Sequence, residues 1–310
     1  MTPRDTTAPP VSRRSVLTLL AAAGLTAACS PHGTDPAVAA PASGSPSTAG
    51  RHELDEALRD LERSRSLTVG VSVRGGGRAD YGYRAAERFP MCSLFKPIAV
   101  GALLADKAYD DAYWSREIAF GPEDLVENSP VTSATTTWRM TPAQLADAAL
   151  RFSDNTAGNL VLREIGGPTA VTSFAASLGA RATRLDRIEP QLNEATPGDD
   201  RDTSTPDDVA RIYGALLLER GAGALTAARL GDWMLRSTTS GKRFRAGLDG
   251  TYELADKTGA GGYGVVNDAG VLWRPGVEPT TLVVMTRTDS PGATWDDEAV
   301  AAITRLVVAS

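Results

Sequence analysis

Four short motifs carry the side chains with which this sequence could transfer an acyl group. They are Ser93-Leu-Phe-Lys96, Ser153-Asp-Asn155, Glu189-Pro-Gln-Leu-Asn193 and Lys257-Thr-Gly259. Together they supply a serine nucleophile, two amines, a carboxylate and several hydrogen-bond donors. An unactivated serine is a weak nucleophile, so a neutral amine or a carboxylate nearby must take its proton. This combination of residue types indicates acyl transfer through a covalently modified serine.

The lysines strengthen this interpretation. The chain has 32 basic residues but only four lysines, and two of the four, Lys96 and Lys257, lie in the motifs. A guanidinium stays protonated in proteins, whereas burial or a neighbouring cation can lower the pKa of an ammonium until it exchanges protons. If Ser93 begins a helix, Lys96 lies one turn away on the same face, within reach of the hydroxyl. A proton-transfer role is therefore a better interpretation of Lys96 than surface charge.

Charge and histidine content exclude several classes of function. The net charge of the 310-residue chain is −6, with no basic stripe, so we expect no nucleic-acid partner. The two histidines, His32 and His52, lie near the N-terminus, and neither is placed to serve as a catalytic base. A Ser-His-Asp triad and a multi-histidine zinc site are both excluded. We expect neither a metal nor a cofactor.

The first 50 residues are typical of export rather than of a fold. Residues 1–29 contain Arg13-Arg14 followed by an apolar run that is too short to span a bilayer, the pattern of a twin-arginine signal peptide. Cys29 follows Leu25-Thr-Ala-Ala, which is similar to a lipoprotein signal-peptidase site, and both lipidation at Cys29 and simple cleavage nearby remain open. Residues 30–50, rich in Ala, Pro, Ser and Gly, are predicted to form a flexible tether. We expect a protein that is secreted or anchored at the outer face of the cytoplasmic membrane.

The remaining chain must position the four motifs. Apolar periodicity predicts helices at His52–Ser64, Ser93–Lys107, Thr141–Arg151, Asn155–Ile165, Pro168–Leu178, Thr205–Arg220, Leu225–Leu235 and Thr294–Val308. Strands are predicted at Leu67–Arg74, around Tyr81, and at Tyr252–Asp256, Val265–Trp273 and Thr280–Thr286. The fold class is α/β (α+β), in which residues 51–84 and 236–310 share one layer and residues 85–235 form a helical insert. The run Leu185–Ser204 is a long irregular loop, which in a compact domain is usually functional.

The four motifs, taken together, resemble those of the class A serine β-lactamases, whose signature includes Ser-x-x-Lys, Ser-Asp-Asn and Lys-Thr-Gly. The order of the motifs and their separations of 60, 36 and 68 residues fit that family. The flanking sequences also fit: Phe152-Ser-Asp-Asn-Thr-Ala-Gly-Asn159, Thr238-Thr239 before Arg243-Phe-Arg-Ala-Gly247, and Lys257-Thr-Gly-Ala-Gly-Gly-Tyr-Gly264 followed by Asn267-Asp268. The resemblance covers residues 51–310. It implies the serine β-lactamase/DD-peptidase-like fold, an antiparallel sheet flanked by helices with an all-helical insert, and hydrolysis of penicillins and cephalosporins that confers β-lactam resistance.

The resemblance also implies how these residues share the acylation step. Ser93 would be acylated by the β-lactam carbonyl. The backbone N–H groups of Ser93 and Ala260 would form the oxyanion hole that holds the developing negative charge. Ser153 would pass a proton to the leaving lactam nitrogen, and Lys96 would set the protonation state of the site.

A second set of residues would bind the substrate. By the same resemblance Lys257 and Thr258, with Gly259 beside them and Arg243 behind, would hold the substrate carboxylate. Asn155 would orient both the acylamide of the substrate and the amine of the first motif.

Deacylation would depend on the long loop. Glu189 and Asn193 would hold the water that cleaves the acyl-enzyme, with Glu189 as general base. Whether Lys96 or Glu189 takes the serine proton in acylation stays open. Arg187 and Asp202 match the ion pair that closes this loop in the family.

One departure from the family pattern concerns the cavity mouth. Where the family commonly has an aromatic residue, this chain has Asn128 in Leu125-Val-Glu-Asn-Ser-Pro-Val131, so an aromatic wall is missing there. The preferred β-lactams are left open. Two other functions share part of the signature, a penicillin-binding DD-peptidase and a β-lactam-binding sensor that keeps its adduct. Glu189 and Asn193 argue against both. We expect a monomer.

Overall fold

The computed structural model describes residues 48–218, 221 and 223–310. The predicted signal peptide and Cys29 lie outside the described residues, and so does Arg220, the predicted end of one helix. The first helix begins at Thr48, inside the predicted tether and four residues before the predicted start at His52. Over the described part of the chain, no helix combines the length and apolar character needed to cross a membrane.

Ten helices and nine strands are present in the described residues. The helices are α1 (Thr48–Arg65), α2 (Phe95–Lys107), α3 (Asp111–Ser115), α4 (Pro142–Arg151), α5 (Asn155–Glu164), α6 (Pro168–Ser177), α7 (Pro206–Leu217), α8 (Ala224–Leu235), α9 (Phe244–Gly247) and α10 (Asp297–Ala309). The strands are β1 (Thr68–Gly75), β2 (Tyr81–Tyr83), β3 (Phe89–Pro90), β4 (Ile118–Ala119), β5 (Arg139–Met140), β6 (Thr203–Ser204), β7 (Glu253–Ala260), β8 (Val266–Arg274) and β9 (Val277–Arg287).

The first and last segments of the chain form one antiparallel sheet, which confirms the predicted fold class. The strand order is β2-β1-β9-β8-β7, so β1 from the N-terminal part pairs with β9 from the C-terminal part. The pairing places Val71 opposite Val284, and Thr258 of β7 opposite Asp268 of β8. Two further pairs, β3 with β6 and β4 with β5, are ladders of two residues each.

Both faces of the sheet are covered by helices. In β9, Leu282 and Val284 pack into a cluster with residues of α1 and α10, whereas Val283 and Met285 pack into a larger cluster with the helices of the insert. This alternation follows the two-residue period of a strand. The sheet is therefore the middle layer of the molecule.

Helix α2 is the central helix of the larger cluster. Its side chains are buried on almost all sides, as Ile98, Val100 and Leu104 show, and a helix that is apolar all round belongs in a core. Tyr213 of α7 donates a hydrogen bond to Leu94 O, just before the helix begins. The N-terminal turn of α2 is thus fixed from within the core.

Several predicted elements have different boundaries; the strand predicted at Thr280–Thr286, for example, extends from Val277 to Arg287. The helix predicted from Ser93 begins at Phe95, because Cys92 has a φ of +48° and residues 92–94 form a short 3₁₀ turn instead. The last helix begins at Asp297 rather than at Thr294, because Asp296 is its N-cap. The strand predicted at Tyr252–Asp256 extends to Ala260. Sequence patterns gave no indication of α3, α9 or the two-residue ladders, which are too short for a period to emerge.

Candidate active site

Ser93 and Lys96 meet where the 3₁₀ turn passes into α2. Lys96 Nζ donates a hydrogen bond of 2.9 Å to Ser93 Oγ. Ser93 Oγ in turn donates to Glu189 Oε1 at 3.2 Å. The serine hydroxyl therefore lies between an amine and a carboxylate, either of which could take its proton.

Lys96 is fully buried and is surrounded by oxygen atoms. Its Nζ donates to Ser153 O and to Asn155 Oδ1, each at 2.7 Å, and lies 3.1 Å from Glu189 Oε1. Burial lowers the pKa of Lys96, and the charge of Glu189 opposes that shift. An amine whose pKa is lowered by burial gives up its proton more readily than an ordinary lysine does, which favours proton exchange with the serine.

The second motif lies at the start of α5, where the chain turns sharply. Asp154 is the N-cap of α5 and accepts hydrogen bonds from Ala157 N at 2.8 Å and from Thr132 N and Oγ1, each at 2.9 Å. Ser153, just before it, has a φ of +58°. The buried cap holds the turn that directs Ser153 and Asn155 toward Lys96, so Asp154 is structural.

Glu189 and Asn193 lie on the long loop, facing the serine. Glu189 is completely buried, and Asn193 Nδ2 donates a hydrogen bond to its Oε2. Within the described residues the buried Asn193 Oδ1 has no hydrogen-bond partner. A carboxylate and an amide oxygen therefore converge beside Ser93, an arrangement that suits a bound water.

The loop is held by contacts at both of its ends. Arg187 Nε donates to Asp202 Oδ2 at 2.6 Å, and the other oxygen of Asp202 accepts Arg187 N at 2.9 Å. Asn159 of α5, to which the sequence assigned no role, donates to Glu189 O and accepts from Glu189 N, both at 2.9 Å. This pair of bonds fixes the backbone of Glu189. The one sequence feature that could have indicated a role for Asn159 was its place in the stretch that follows Ser153-Asp-Asn155.

Strand β7 brings the fourth motif to the opposite side of the serine. Lys257 is fully buried and donates to Thr258 O at 2.8 Å, while Thr258 Oγ1 donates to Thr239 Oγ1 at 2.7 Å. Burial, reinforced by the charge of Lys96, lowers the pKa of Lys257 well below its usual value. A bound carboxylate would oppose that shift and favour the charged ammonium.

Gly259 is required by a close approach of two backbones. A Cβ atom at this position would lie 2.7 Å from Met91 O, in the segment that leads into Ser93. Only glycine lets β7 pass this close to the serine turn. The next residue, Ala260, is the last of the strand.

Arg243 lies behind the end of β7 and is almost fully buried. Its Nε donates to Asp297 Oδ1 at 2.7 Å, and its Nη1 donates to Gly259 O at 2.8 Å and to Asn267 O at 2.9 Å. These bonds fix the guanidinium beside the strand that carries Lys257. The geometry suits recognition of an anion on this side of the site.

All four motifs border one open cleft of about 810 Å³. Ser93, Ser153, Asn193, Arg243 and Thr258 line it, with Asn128 on one side and Trp295 on another. No sequence motif indicated a role for Trp295. Over residues 48–218 and 223–310, no group of three or more His, Cys, Asp and Glu side chains is arranged to hold a metal ion.

Comparisons with known proteins agree with this geometry. Residues 53–310 match the model of a family described as "Beta-lactamase enzyme family". A β-lactamase of Streptomyces lavendulae is 43% identical over 305 residues, covering 96% of this chain and 97% of the relative. The solved β-lactamase of Streptomyces albus G superposes with a TM-score of 0.81 at 42% identity, over 83% of this chain and 98% of that one. A variant of the last common ancestor of Gram-negative bacteria β-lactamase class A gives a TM-score of 0.78 at 42% identity, over 83% and 97% of the two chains.

Proposed function

The chain belongs to the β-lactamase enzyme family, and on that premise we propose how its own residues divide the hydrolysis of a β-lactam. It is a class A enzyme, a hydrolase that opens the β-lactam ring of antibiotics. The main observation behind these assigned roles is the position of Ser93 Oγ. This atom is bonded both to Lys96 Nζ at 2.9 Å and to Glu189 Oε1 at 3.2 Å.

In acylation, Ser93 Oγ attacks the lactam carbonyl carbon as its proton leaves for Lys96 or Glu189. The carbonyl oxygen gains negative charge, which the backbone N–H groups of Ser93 and Ala260 stabilise. The carbon–nitrogen bond then breaks, and Ser153 gives its proton to the ring nitrogen. Lys96 Nζ lies 3.4 Å from Ser153 Oγ and can return a proton to it. The product of this half-reaction is an ester on Ser93.

In deacylation, Glu189 removes a proton from a water that Asn193 helps to hold. The water oxygen attacks the ester carbonyl, the bond to Ser93 Oγ breaks, and the serine regains a proton. Support for this assignment comes from the buried Glu189 carboxylate, within hydrogen-bond reach of Ser93, and from the unpaired Asn193 Oδ1 among the described residues. A carboxylate in contact with the nucleophile is well placed for general base catalysis.

Substrate binding uses the two ends of the cleft. Lys257, Thr258 and Arg243, next to Gly259, hold the carboxylate of the substrate. At the other end Asn155 donates one amide hydrogen to Glu127 O at 3.0 Å, and its second amide hydrogen is available for the acylamide of the substrate.

We also propose that the protein is exported, and the support for export comes from the sequence alone. Residues 1–29 direct the chain to the twin-arginine route, and the protein acts as a monomer that is either released or held by a lipid on Cys29. Replacing Cys29 with Ala should release the protein from the membrane fraction if the cysteine is lipidated. An unchanged distribution between membrane and medium would indicate simple cleavage.

The decisive experiment compares the first turnover with the steady state. Wild-type protein mixed with a chromogenic cephalosporin should hydrolyse many equivalents, and the Ser93→Ala variant should neither hydrolyse nor become labelled. Ser173→Ala, which changes an exposed serine of α6 outside the cleft lining, is the matched control and should behave as wild type. A stoichiometric burst without turnover would favour the sensor, and covalent labelling of Ser93→Ala would overturn the assignment of the nucleophile.

A further inference from the structure

Trp295 is an exposed aromatic side chain that borders the active-site cleft. Five large hydrophobic side chains of the described chain are exposed, and Trp295 is the one among them that lines this cleft, with 58% of its surface exposed. Exposed apolar surface is unfavourable in water, and an exposed tryptophan at a binding site is a frequent contact residue. The acylation and deacylation chemistry does not use this ring.

The ring of Trp295 is held in place before any substrate arrives. Its Nε1 donates a hydrogen bond of 2.9 Å to Gly261 O. The next residue, Asp296, accepts from Ala299 N as the N-cap of α10 and forms an ion pair with Arg65 at 2.8 Å. The backbone on one side of Trp295 and its indole nitrogen are therefore both anchored. A pre-positioned ring loses little conformational entropy when a ligand stacks on it.

The anchors also show which end of the cleft Trp295 occupies. Gly261 directly follows Ala260, and Asp297, two residues after the tryptophan, binds Arg243. Trp295 therefore belongs to the end where Arg243 lies. Asn128, whose carbonyl accepts from Asn155 N at 3.0 Å, belongs to the other end.

We propose that Trp295 determines substrate preference by stacking on planar aromatic substituents attached to the carboxylate-bearing ring of the β-lactam, such as the group at position 3 of a cephalosporin. This inference rests on the proposed orientation, in which Arg243 and Lys257 mark the carboxylate end. The substituent nearest that carboxylate then extends toward the indole. The chain thus has an exposed aromatic side chain at the carboxylate end, whereas Asn128 supplies none at its own position.

The test uses two cephalosporins with the same acylamide, one with a methyl group at position 3 and one with an aromatic heterocycle there. Trp295→Ala should lower kcat/KM for the heteroaryl substrate by about 3- to 10-fold, the usual range for one aromatic pair. The loss should appear mainly in KM, because stacking acts alike on the bound substrate and the transition state. For the methyl substrate kcat/KM should stay within about twofold.

Trp295→Phe separates stacking from the hydrogen bond to Gly261. This variant keeps a ring but loses the Nε1 donor, and it should retain most of the preference for the heteroaryl substrate. Tyr109→Ala, which removes an aromatic side chain that is 83% exposed and outside the cleft lining, is the matched control and should change neither substrate. Thermal melts of all variants check that the fold is intact.

Two results would overturn the inference. Equal losses of kcat on both substrates, in Trp295→Ala and Trp295→Phe alike, would mean that the residue acts through the Gly261 backbone. Unchanged kinetics on both substrates would mean that the ring touches neither. In both cases the hydrolytic function would still be supported if wild-type protein turned over the methyl substrate. If wild-type protein did not turn over that substrate, the hydrolytic function itself would be refuted.

Discussion

The two halves of the reaction are supported in different ways. The acylation wall, which we define as Ser93, Lys96, Ser153 and Asn155, is built on α2 and α5 inside the large core. The deacylation loop, residues 185–204, carries Glu189 and has a mixed surface, in which Leu192 is buried while Ile188 is 45% exposed. The wall is held within the core and by the buried Asp154 cap, whereas the loop joins the core at Leu185 and Leu192 and is otherwise held by polar contacts.

This difference predicts that the two half-reactions can be separated by mutation. The loop depends on the Arg187–Asp202 ion pair, on the two bonds between Asn159 and Glu189, and on Gly262 N, which donates to Asn193 O at 2.8 Å. Segments held by few contacts open locally at lower free energy than the core does. Damage to the loop should slow deacylation selectively, whereas damage to the wall should reduce the stability of the whole fold.

The largest separation should follow from Glu189→Ala. Ser93 should still be acylated, since Lys96 remains as a possible base, but the ester loses the carboxylate that activates water. Loss of one general base slows a step by about two to four orders of magnitude. Mass spectrometry after mixing with a penicillin should therefore show a long-lived adduct on the variant and mostly free wild-type enzyme.

Glu194→Ala is the matched control, since Glu194 is an exposed glutamate of the same loop that pairs with Arg187. It should clear the adduct nearly as fast as wild type. If Glu189→Ala cleared it at the wild-type rate, Glu189 would not be the deacylating base.

The next largest effect should come from the support of the acylation wall. Asp154→Ala removes a buried carboxylate that accepts from Ala157 N, Val131 N and both donor groups of Thr132. Leaving these donors unpaired should lower the free energy of unfolding by about 3 kcal/mol or more. Chemical denaturation measures this loss, and the ratio of acylation to deacylation in the folded protein should change little.

Asp110→Ala is its control, because Asp110 is an N-cap too but an exposed one, which accepts from Tyr113 N at 2.9 Å. Its loss should cost only about 1 kcal/mol. Equal destabilisation by the two variants would contradict the central role we give to Asp154.

A smaller, selective effect should follow from Asp202→Asn. The amide keeps an oxygen for the backbone N–H groups of the loop but loses the charge that pairs with Arg187. We expect deacylation to slow by about tenfold, since misplacing a catalytic group by about 1 Å can cost about a hundredfold and a smaller shift costs less. Single-turnover kinetics should show acylation within about threefold of wild type.

Asp199→Asn makes the same chemical change at a more exposed pair in the same loop, with Arg201. Surface ion pairs contribute little to stability, so this variant should match wild type in both half-reactions. A comparable slowing of acylation and deacylation in Asp202→Asn would show that the loop and the wall are not separable.

Most of the wall and the loop could be predicted from the sequence, because each motif joins residues that are close in the chain. Ser93 and Lys96 are three residues apart, and Glu189 and Asn193 four, so local geometry brings each pair together. The order of the motifs and their separations then indicated the family, and with it the sheet and the flanking helices.

Contacts between distant segments could not be predicted in this way. Asn159 binds Glu189 from 30 positions away, and Trp295 bonds to Gly261 from 34. Nothing in a loop such as Ser290-Pro-Gly-Ala-Thr-Trp295 shows which strand it will meet. The predicted start of the last helix was wrong for a related reason. Thr294 and Asp296 are both good N-cap residues, and the tertiary contact with Arg65 favours Asp296.

The smallest expected effect concerns electrostatics: the charge of Glu189 on the deacylation loop should influence Lys96 in the acylation wall. Glu189 lies 3.1 Å from Lys96 Nζ, and its negative charge raises the pKa of Lys96 against the effect of burial. Glu189→Gln keeps the shape but removes that charge, so the pKa of Lys96 should fall. If the neutral Lys96 amine takes the proton of Ser93, acylation speeds up as pH rises through the pKa of Lys96, and the rising limb of the profile should move to lower pH in the variant.

Single-turnover acylation rates across the pH range measure this limb, and Glu194→Gln should leave it in place. A rising limb that disappears, with acylation slow at every pH, would instead identify Glu189 as the acylation base and show that the loop takes part in both half-reactions.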